Sequence, residues 1–171
     1  MSIRMNKEKT LEFIKEEHER LKSVFNSLNM EELVQYHIVK AWNIKDILAH
    51  LAAWNKELIK SIDNLLDKKD IWFRTQNEEE FNKIQVTLRK SKSVAEIIDE
   101  WENSFNQLIE KIEGLSEEEW NFKSDYKWKS GDSVTVKSFF EYRKRGLGHE
   151  GWHAFQIEDY FESDRCACRV Y

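Results

Sequence analysis

The sequence predicts an all-α protein built as a four-helix bundle, and three observations support that prediction. Proline is absent and glycine occurs only five times in 171 residues, so little in the chain interrupts a helix or favours a tight turn. Four long segments place apolar residues at alternating steps of three and four, which is the spacing of one helix face. Each segment has one stripe to bury, and a bundle of four helices is the simplest fold that does so.

The first two helices are predicted from their apolar stripes. The first runs from about Lys9 to Leu28, and His18 occupies one position of its apolar series. The second begins after Asn43, which is a good N-cap because Asp46 stands at the third helical position. The stripe of the second helix consists of Ile44, Ile47, Leu51, Trp54, Leu58, Ile62 and Leu65.

An accessory helix is predicted in the long link between helices two and three. Asn77 is its cap, with Glu80 three residues later, and the helix is expected over about residues 77–89. The third long helix begins at Ser93, because Ser93-Val-Ala-Glu96 has the pattern of a capping box. Its stripe consists of Val94, Ile97, Trp101, Phe105, Leu108, Ile112 and Leu115.

The last part of the chain is predicted as a loop followed by the fourth helix. Residues 121–132 are polar and rich in aromatic side chains, and they contain a Ser130-Gly131-Asp132 turn. The fourth helix is expected over about residues 134–161, with an interruption near Gly146 and Gly148. The four long helices and the accessory helix account for most of the chain.

Length and charge narrow the class of protein. At 171 residues the chain is expected to form one domain, residues 1–171, which can bury a core without disulfides. It carries 27 lysines and arginines against 32 aspartates and glutamates, a formal charge of −5, with both signs mixed along the chain. Such a chain lacks the basic footprint of a protein that binds nucleic acid or an anionic membrane, so neither partner is expected.

The cysteine content and the hydropathy of the chain indicate the cellular compartment in which the protein is expected. The only cysteines are Cys166 and Cys168, and a one-residue gap makes a poor disulfide loop. The pair could bind a soft metal, although its position near the end of the sequence favours ordinary free thiols. No apolar run approaches the ~18 residues of a membrane span, and residues 1–9 lack the apolar core of a signal peptide. These features predict a cytoplasmic protein in a reducing compartment.

Three histidines are candidate metal ligands. His50 lies at the edge of the stripe on the second helix, and His149 and His153 have the i, i+4 spacing that places two rings on one helix face. Gly148 and Gly151 lack side chains, so a neighbouring helix or a ligand can approach this face closely. Taken singly, each histidine could be a polar edge residue of a packed helix. Together, three imidazoles leave an open coordination position, which is typical of a catalytic site for a divalent ion such as Zn, Ni, Fe or Cu.

Two further residues are candidates for proton transfer. Glu57 follows His50 by seven residues and Tyr142 precedes His149 by seven, so each is expected on the face of its histidine. Either residue could act as a general base, a general acid or an orienting group for the substrate. Each could equally be a face residue with a solvent or packing role.

The remaining histidines and Glu150 allow other interpretations. His18 could be a fourth ligand or orient one, but its stripe position favours a core histidine bonded to a backbone carbonyl. His37 is predicted to be exposed. The sequence from His149 to His153 also matches the H-E-x-x-H pattern of zinc proteases. A protease of that class needs a third ligand downstream, and only 18 residues follow His153, so this function is not favoured.

The sequence resembles the DinB-like proteins in three segments. Trp42-Asn-Ile-Lys-Asp-Ile-Leu-Ala-His50-Leu-Ala-Ala-Trp54 resembles their second-helix signature. Gly148-His149-x3-His153-x2-Gln156-Ile157 resembles their fourth helix, where a His-x3-His pair completes a metal triad. The segment from Phe81 to Trp120, with Glu113-Gly-Leu-Ser-Glu-Glu-Glu-Trp120, is similar to the branch that contains the ClbS/DfsB proteins and the maleylpyruvate isomerase N-terminal domains.

This resemblance implies a DinB/YfiT-like four-helix bundle with a three-histidine metal site in a cleft between helices two and four. Known members include thiol-dependent S-transferases and isomerases that use bacillithiol, mycothiol or glutathione, and others protect against genotoxic metabolites. The leading hypothesis is therefore a metal-dependent enzyme, of S-transferase or hydrolase type, that acts on a small electrophile with a low-molecular-weight thiol. The alternative is a non-catalytic small-molecule-binding or resistance protein of ClbS/DfsB type. A third possibility is a structural bundle that acts as a homodimer.

Overall fold

A computed structural model describes residues 6–72, 77–141 and 143–167 of the chain, with side chains through Ser163. Helices dominate these residues, and a single two-stranded antiparallel sheet accompanies them. In chain order the elements are α1 (Lys7–Asn26), α2 (Glu32–Gln35), α3 (Ile44–Leu66), α4 (Glu78–Leu88), α5 (Val94–Glu113), α6 (Glu117–Trp120), β1 (Lys123–Lys127), β2 (Ser133–Thr135), a 3-10 helix (Lys137–Phe140) and α7 (His149–Ala167).

The long helices α1, α3, α5 and α7 form the predicted bundle. Helix α3 packs against α5, and α1 packs against α7. The accessory helix α4 lies on α3, where the rings of Trp54 and Phe81 meet at 4.9 Å between centroids. The all-α class, the four-helix bundle and the accessory helix are confirmed.

Capping residues set the helix starts. The Asn43 side chain accepts a hydrogen bond from the Asp46 backbone at 2.9 Å, which completes the predicted capping box at the start of α3. The predicted boxes at Ser93 and the cap at Asn77 are also present. Helix α1 starts and ends two residues earlier than its stripe suggested, since the Asn6 side chain caps it by accepting from Lys9.

The apolar core consists of two large clusters along the bundle and a small third one, formed by Ala53, Trp54 and Phe81 where α4 lies on α3. The first is built around the fully buried Trp101 and includes side chains of α1, α3, α5 and α7. The second is built around Trp120 and includes the ends of α3 and α5, strand β2 and the 3-10 helix. The predicted stripe residues of α3 lie in these clusters or against them, so the period-3.6 pattern correctly identified the buried face.

The fourth helix is shorter than predicted, and this is a correction. Helix α7 begins at His149, while residues 133–140 form β2 and the 3-10 helix. Val134 and Val136 are both fully buried, so this stretch follows the alternating pattern of a strand. The predicted loop contributes β1, and its Ser130-Gly131-Asp132 turn joins the two strands with Gly131 at a φ of 91°. The interruption expected at the later glycines is therefore the start of the helix.

Two expectations from composition have different outcomes. None of the helices in the described ranges is long and apolar enough to span a membrane. The side chains of Cys166 and Cys168 fall outside the described part of the chain. Their predicted state as free thiols is therefore untested.

Candidate metal centre

The three predicted histidines meet between α3 and α7. His50 projects from α3, and His149 and His153 stand one turn apart at the start of α7. The Nε2 atoms of His50 and His149 are 2.9 Å apart. One ligand nitrogen from each ring can be chosen so that all three lie within 4.8 Å of one another. The fold thus brings together side chains that are about 100 residues apart in sequence.

Burial lowers the pKa of all three imidazoles. The pKa of His149 falls to about 4 and that of His153 to about 3, chiefly because burial disfavours the charged ring. The pKa of His50 also lies well below its ordinary value of 6.5, through burial and then the neighbouring rings of His149 and His153. All three rings are therefore neutral at pH 7, which is the state in which imidazole binds a metal ion.

The donor geometry fits a divalent ion. The 2.9 Å between His50 Nε2 and His149 Nε2 is close to the ~3.3 Å that separates two nitrogen ligands of a tetrahedral ion. Three neutral imidazoles suit Zn, Ni or Fe.

The triad lines a cavity of about 630 Å³ with a largely aromatic wall. The Trp42 ring lies 5.0 Å from the ring of His50. Trp54 Nε1 donates to Asn82 Oδ1 at 2.8 Å, so the accessory helix α4 closes one side. A concave site of this size, with few polar groups, is typical of a small organic ligand. Its aromatic lining consists of Phe13, Trp42, Trp54, Trp72, Phe105, Trp128, Phe139, Phe140 and Trp152.

A carboxylate from α1 caps the N-terminus of α7. The Gly148 backbone donates to Glu17 Oε1 at 2.6 Å, and the Gly151 backbone also bonds to this carboxylate. A Cβ atom at either glycine would collide with the Glu17 carboxylate. Burial raises the pKa of Glu17, while these hydrogen bonds and the nearby Arg143 oppose the rise. The glycines around the histidine pair thus admit a side chain of a neighbouring helix, one of the two partners predicted for them.

Gly151→Ala is expected to lower the free energy of unfolding by about 1 kcal/mol, the usual cost of losing a helix cap. The added methyl group displaces the Glu17 carboxylate from the start of α7. Urea denaturation of the metal-free protein measures the change. In a Glu17→Ala background the same substitution should cost less, because the collision is gone. Gly114→Ala is the matched control, since its Cβ meets no atom closer than 3.4 Å. An equal cost in both backgrounds would contradict the capping role.

Glu150 faces the core and not the triad. Its Oε2 lies 2.8 Å from His18 Nδ1, and its Oε1 accepts from Trp101 Nε1 at 2.8 Å. His18 is stacked between Trp101 and Phe105, apart from the histidine cluster. It is the buried core histidine that its stripe position favoured, but its partner is a carboxylate and not the expected backbone carbonyl. Glu150 is therefore not oriented as the general base of an H-E-x-x-H protease.

Of the two residues predicted to transfer protons, only Glu57 is among the described residues. Glu57 lies on α3, two turns after His50, with its carboxylate 4.0 Å from Lys60 Nζ. It is not among the described residues that line the cavity. Tyr142 lies outside the described residues. The roles of Glu57 and Tyr142 therefore stay predictions, whereas the exposed position of His37 is confirmed.

The chain belongs to the DinB superfamily. The model of this superfamily matches residues 14–157, which include all of α3 and α5, parts of α1 and α7, and all three histidines of the cluster. No curated protein matches the sequence at a significant level. The family suggested by the three sequence segments is therefore confirmed.

Solved structures share the fold at low sequence identity. A mycothiol-dependent maleylpyruvate isomerase matches 90% of this chain with a TM-score of 0.73 and 14% identity, and the match spans only 61% of the isomerase chain. DfsB, described as a sibling lethal factor precursor, matches 94% of this chain and 98% of its own, with a TM-score of 0.72 and 13% identity. The colibactin self-resistance protein ClbS matches 90% and 93%, with a TM-score of 0.70 and 12% identity. These proteins represent the branches that the sequence resembles.

The likeness to ClbS bears on the expectation that this protein has no nucleic-acid partner. That structure holds ClbS in complex with double-stranded DNA. The charge balance of the present chain predicted no nucleic-acid partner, and a fold shared with a protein crystallised on DNA gives that prediction no support. The absence of nucleic-acid binding therefore stays a prediction.

Proposed function

We propose that this protein is a metal-dependent enzyme that acts on a small electrophilic molecule with a low-molecular-weight thiol as co-substrate. The observation behind the proposal is that three neutral imidazoles converge in the wall of an aromatic cavity. Such an arrangement combines an open coordination position with a place for a small organic substrate. The shared fold of a mycothiol-dependent isomerase is consistent with a thiol co-substrate.

The residues have separable roles in this proposal. His50, His149 and His153 would hold a divalent ion such as Zn, Ni or Fe, which when bound lowers the pKa of a coordinated thiol or water. Trp42 and Trp54 flank His50 and give the cavity an aromatic wall on that side. The proton released in the reaction needs an acceptor, and we assign that role to Glu57 or Tyr142.

The test uses cobalt in place of the native ion. A biological thiol such as bacillithiol, mycothiol or glutathione is expected to add a sulfur-to-cobalt charge-transfer band, and turnover should follow when an epoxide or a chlorinated arene is added. Glu57→Gln and Tyr142→Phe then identify the proton acceptor, because the true participant lowers turnover and leaves the cobalt spectrum unchanged. Glu118→Gln, an exposed carboxylate outside the cavity, is the matched control.

One observation favours a second function, that of a non-catalytic binding or resistance protein. Two of the three carboxylates that line the described cavity are already engaged, Glu17 with the Gly148 backbone and Glu150 with His18 and Trp101. A cavity in which most carboxylates are already engaged suits sequestration of an apolar toxic molecule better than proton transfer. Tight stoichiometric binding of the electrophile, with no thiol band and no turnover, would replace the enzymatic proposal with this one.

A further inference from the structure

Lys144 and Arg145 lie on a tight turn just before the first histidine of α7. The backbones of Lys144 and Leu147 exchange hydrogen bonds of 2.7 and 3.0 Å and form an isolated antiparallel bridge. The two residues between them, Arg145 and Gly146, have positive φ angles of 54° and 81°. These features define a type I′ turn, which fixes the backbone that carries both cations.

The exposed side chains of Lys144 and Arg145 lie against Trp152 and are not themselves part of the cavity lining. Lys144 Nζ lies 4.0 Å from the centre of the Trp152 ring. Arg145 Cζ lies 5.9 Å from the same centre and 5.5 Å from the centre of the Phe155 ring beside it. Trp152 lines the cavity and directly precedes His153. Cation–π contacts with Trp152 therefore hold positive charge beside the histidine cluster.

These charges are not neutralised within the described part of the chain. No carboxylate there forms an ion pair with Lys144 or Arg145. The preceding cation, Arg143, is instead held in the wall, where it donates to the Phe140 carbonyl at 2.6 Å and lies 4.0 Å over the Phe13 ring. The protein as a whole is acidic, so this turn is a local positive field at the edge of an aromatic cavity.

We propose that Lys144 and Arg145 bind the anionic group of a small ligand whose reactive end reaches the histidine cluster. The ligand class is thus a small molecule with a carboxylate or a similar anion, joined to a thiol or to an apolar body that fits the aromatic wall. This inference rests on the proposed function, because it requires a ligand in the cavity. A DNA phosphate is the competing occupant, and it is less favoured because the two cations pack against a ring of the cavity wall.

The experiment compares anionic and neutral ligands of matched size. The first arm uses cobalt-loaded protein with 3-mercaptopropionate and 3-mercapto-1-propanol, followed through the charge-transfer band. The second arm uses metal-free protein with cinnamate and cinnamamide, followed by calorimetry. The wild type should bind the anionic member of a pair roughly fivefold more tightly at ~20 mM salt, and the preference should shrink at ~500 mM salt.

The Lys144→Gln/Arg145→Asn variant should lose this preference and keep its affinity for the neutral member. Asparagine at position 145 tolerates the positive φ, so the turn is retained. The control variant, Lys9→Gln/Lys68→Asn, removes the same charge from exposed positions that do not line the cavity, and it should keep the preference. Lys68 also has a positive φ, 58°, which makes the pair of asparagine substitutions comparable.

Several results would overturn the proposal. Equal affinity for charged and neutral members in both arms would do so, as would a preference that survives in the variant. If cobalt does not bind, the proposed metal-dependent function is wrong, but the anion site at the turn is not yet excluded. The comparison of cinnamate with cinnamamide would then test that site. If neither aromatic probe binds and the thiols show no preference, the proposal is wrong. Loss of binding to a short DNA duplex in the variant, with no small-anion preference in the wild type, would assign the turn to phosphate backbones.

Discussion

Replacing His149 with alanine is expected to weaken the binding of a divalent ion by at least about 100-fold. Removing a residue that only hydrogen-bonds to a metal ligand typically lowers metal affinity by about 10–100-fold. Removing a ligand itself should lower the affinity further. The same loss is expected for His153→Ala and His50→Ala, because the three rings converge on one point. Elemental analysis of untagged wild-type protein should find about one ion per chain, and chelator competition measures the affinities.

The control for this prediction is His37→Ala. It removes an exposed histidine outside the cluster and should leave the affinity unchanged. Far-UV circular dichroism should show that all variants keep their helical content. If the variant that lacks His50, His149 and His153 bound the ion as well as the wild type, the assignment of the metal site would be wrong.

The helices could be predicted closely where local signals agree with tertiary packing. Asn43 and Ser93 cap helices in the structure as their sequence patterns indicated, and the stripe that follows each cap faces the core. The region before α7 could not be predicted in this way. Val134 and Val136 are two residues apart, which is the spacing of one strand face, but two residues are too short a pattern to identify a strand by themselves. The pairing of β2 with β1 is a property of the folded chain.

The histidine cluster could be predicted because spacing within one helix reports a shared face. His149 and His153 satisfy that rule by themselves. His50 was a candidate because it lies at the edge of the stripe on the second helix, and the resemblance of two segments added to that interpretation. The cap that Glu17 supplies could not be predicted, because 131 residues separate it from its hydrogen-bond partner Gly148. The two glycines signalled that something approaches closely, but nothing local identified the side chain.

The positive turn beside the cavity could not be recognised from the net charge of the chain. Arg143, Lys144 and Arg145 form a run of three cations in a chain whose net charge is −5. A count of charges treats such a short run as part of a mixed surface. Its significance depends on the type I′ turn and on the Trp152 ring, and both are properties of the folded chain.

Acid is expected to destabilise the metal-free protein, and the histidine cluster should cause much of the effect. In the unfolded chain these histidines titrate near their ordinary pKa of about 6.5. In the folded chain the pKa of His149 is about 4 and that of His153 about 3. Between these values the unfolded state binds more protons than the native state, so the free energy of unfolding falls as the pH decreases. The loss should begin near pH 6.5 and reach a few kcal/mol by about pH 4.

Urea denaturation of the metal-free protein at pH 7, 6 and 5 measures this dependence. The His149→Ala/His153→Ala variant should show a shallower loss, because it lacks two of the groups that take up protons only on unfolding. Carboxylates contribute equally to both proteins, so the difference between the two curves isolates the histidines. In the metal-loaded protein, release of the ion should occur at a lower pH than the loss of stability in the metal-free protein, because a bound ion opposes protonation of its ligands. Parallel curves for the variant and the wild type would show that the rings titrate normally in the folded chain, and the neutral triad would be wrong.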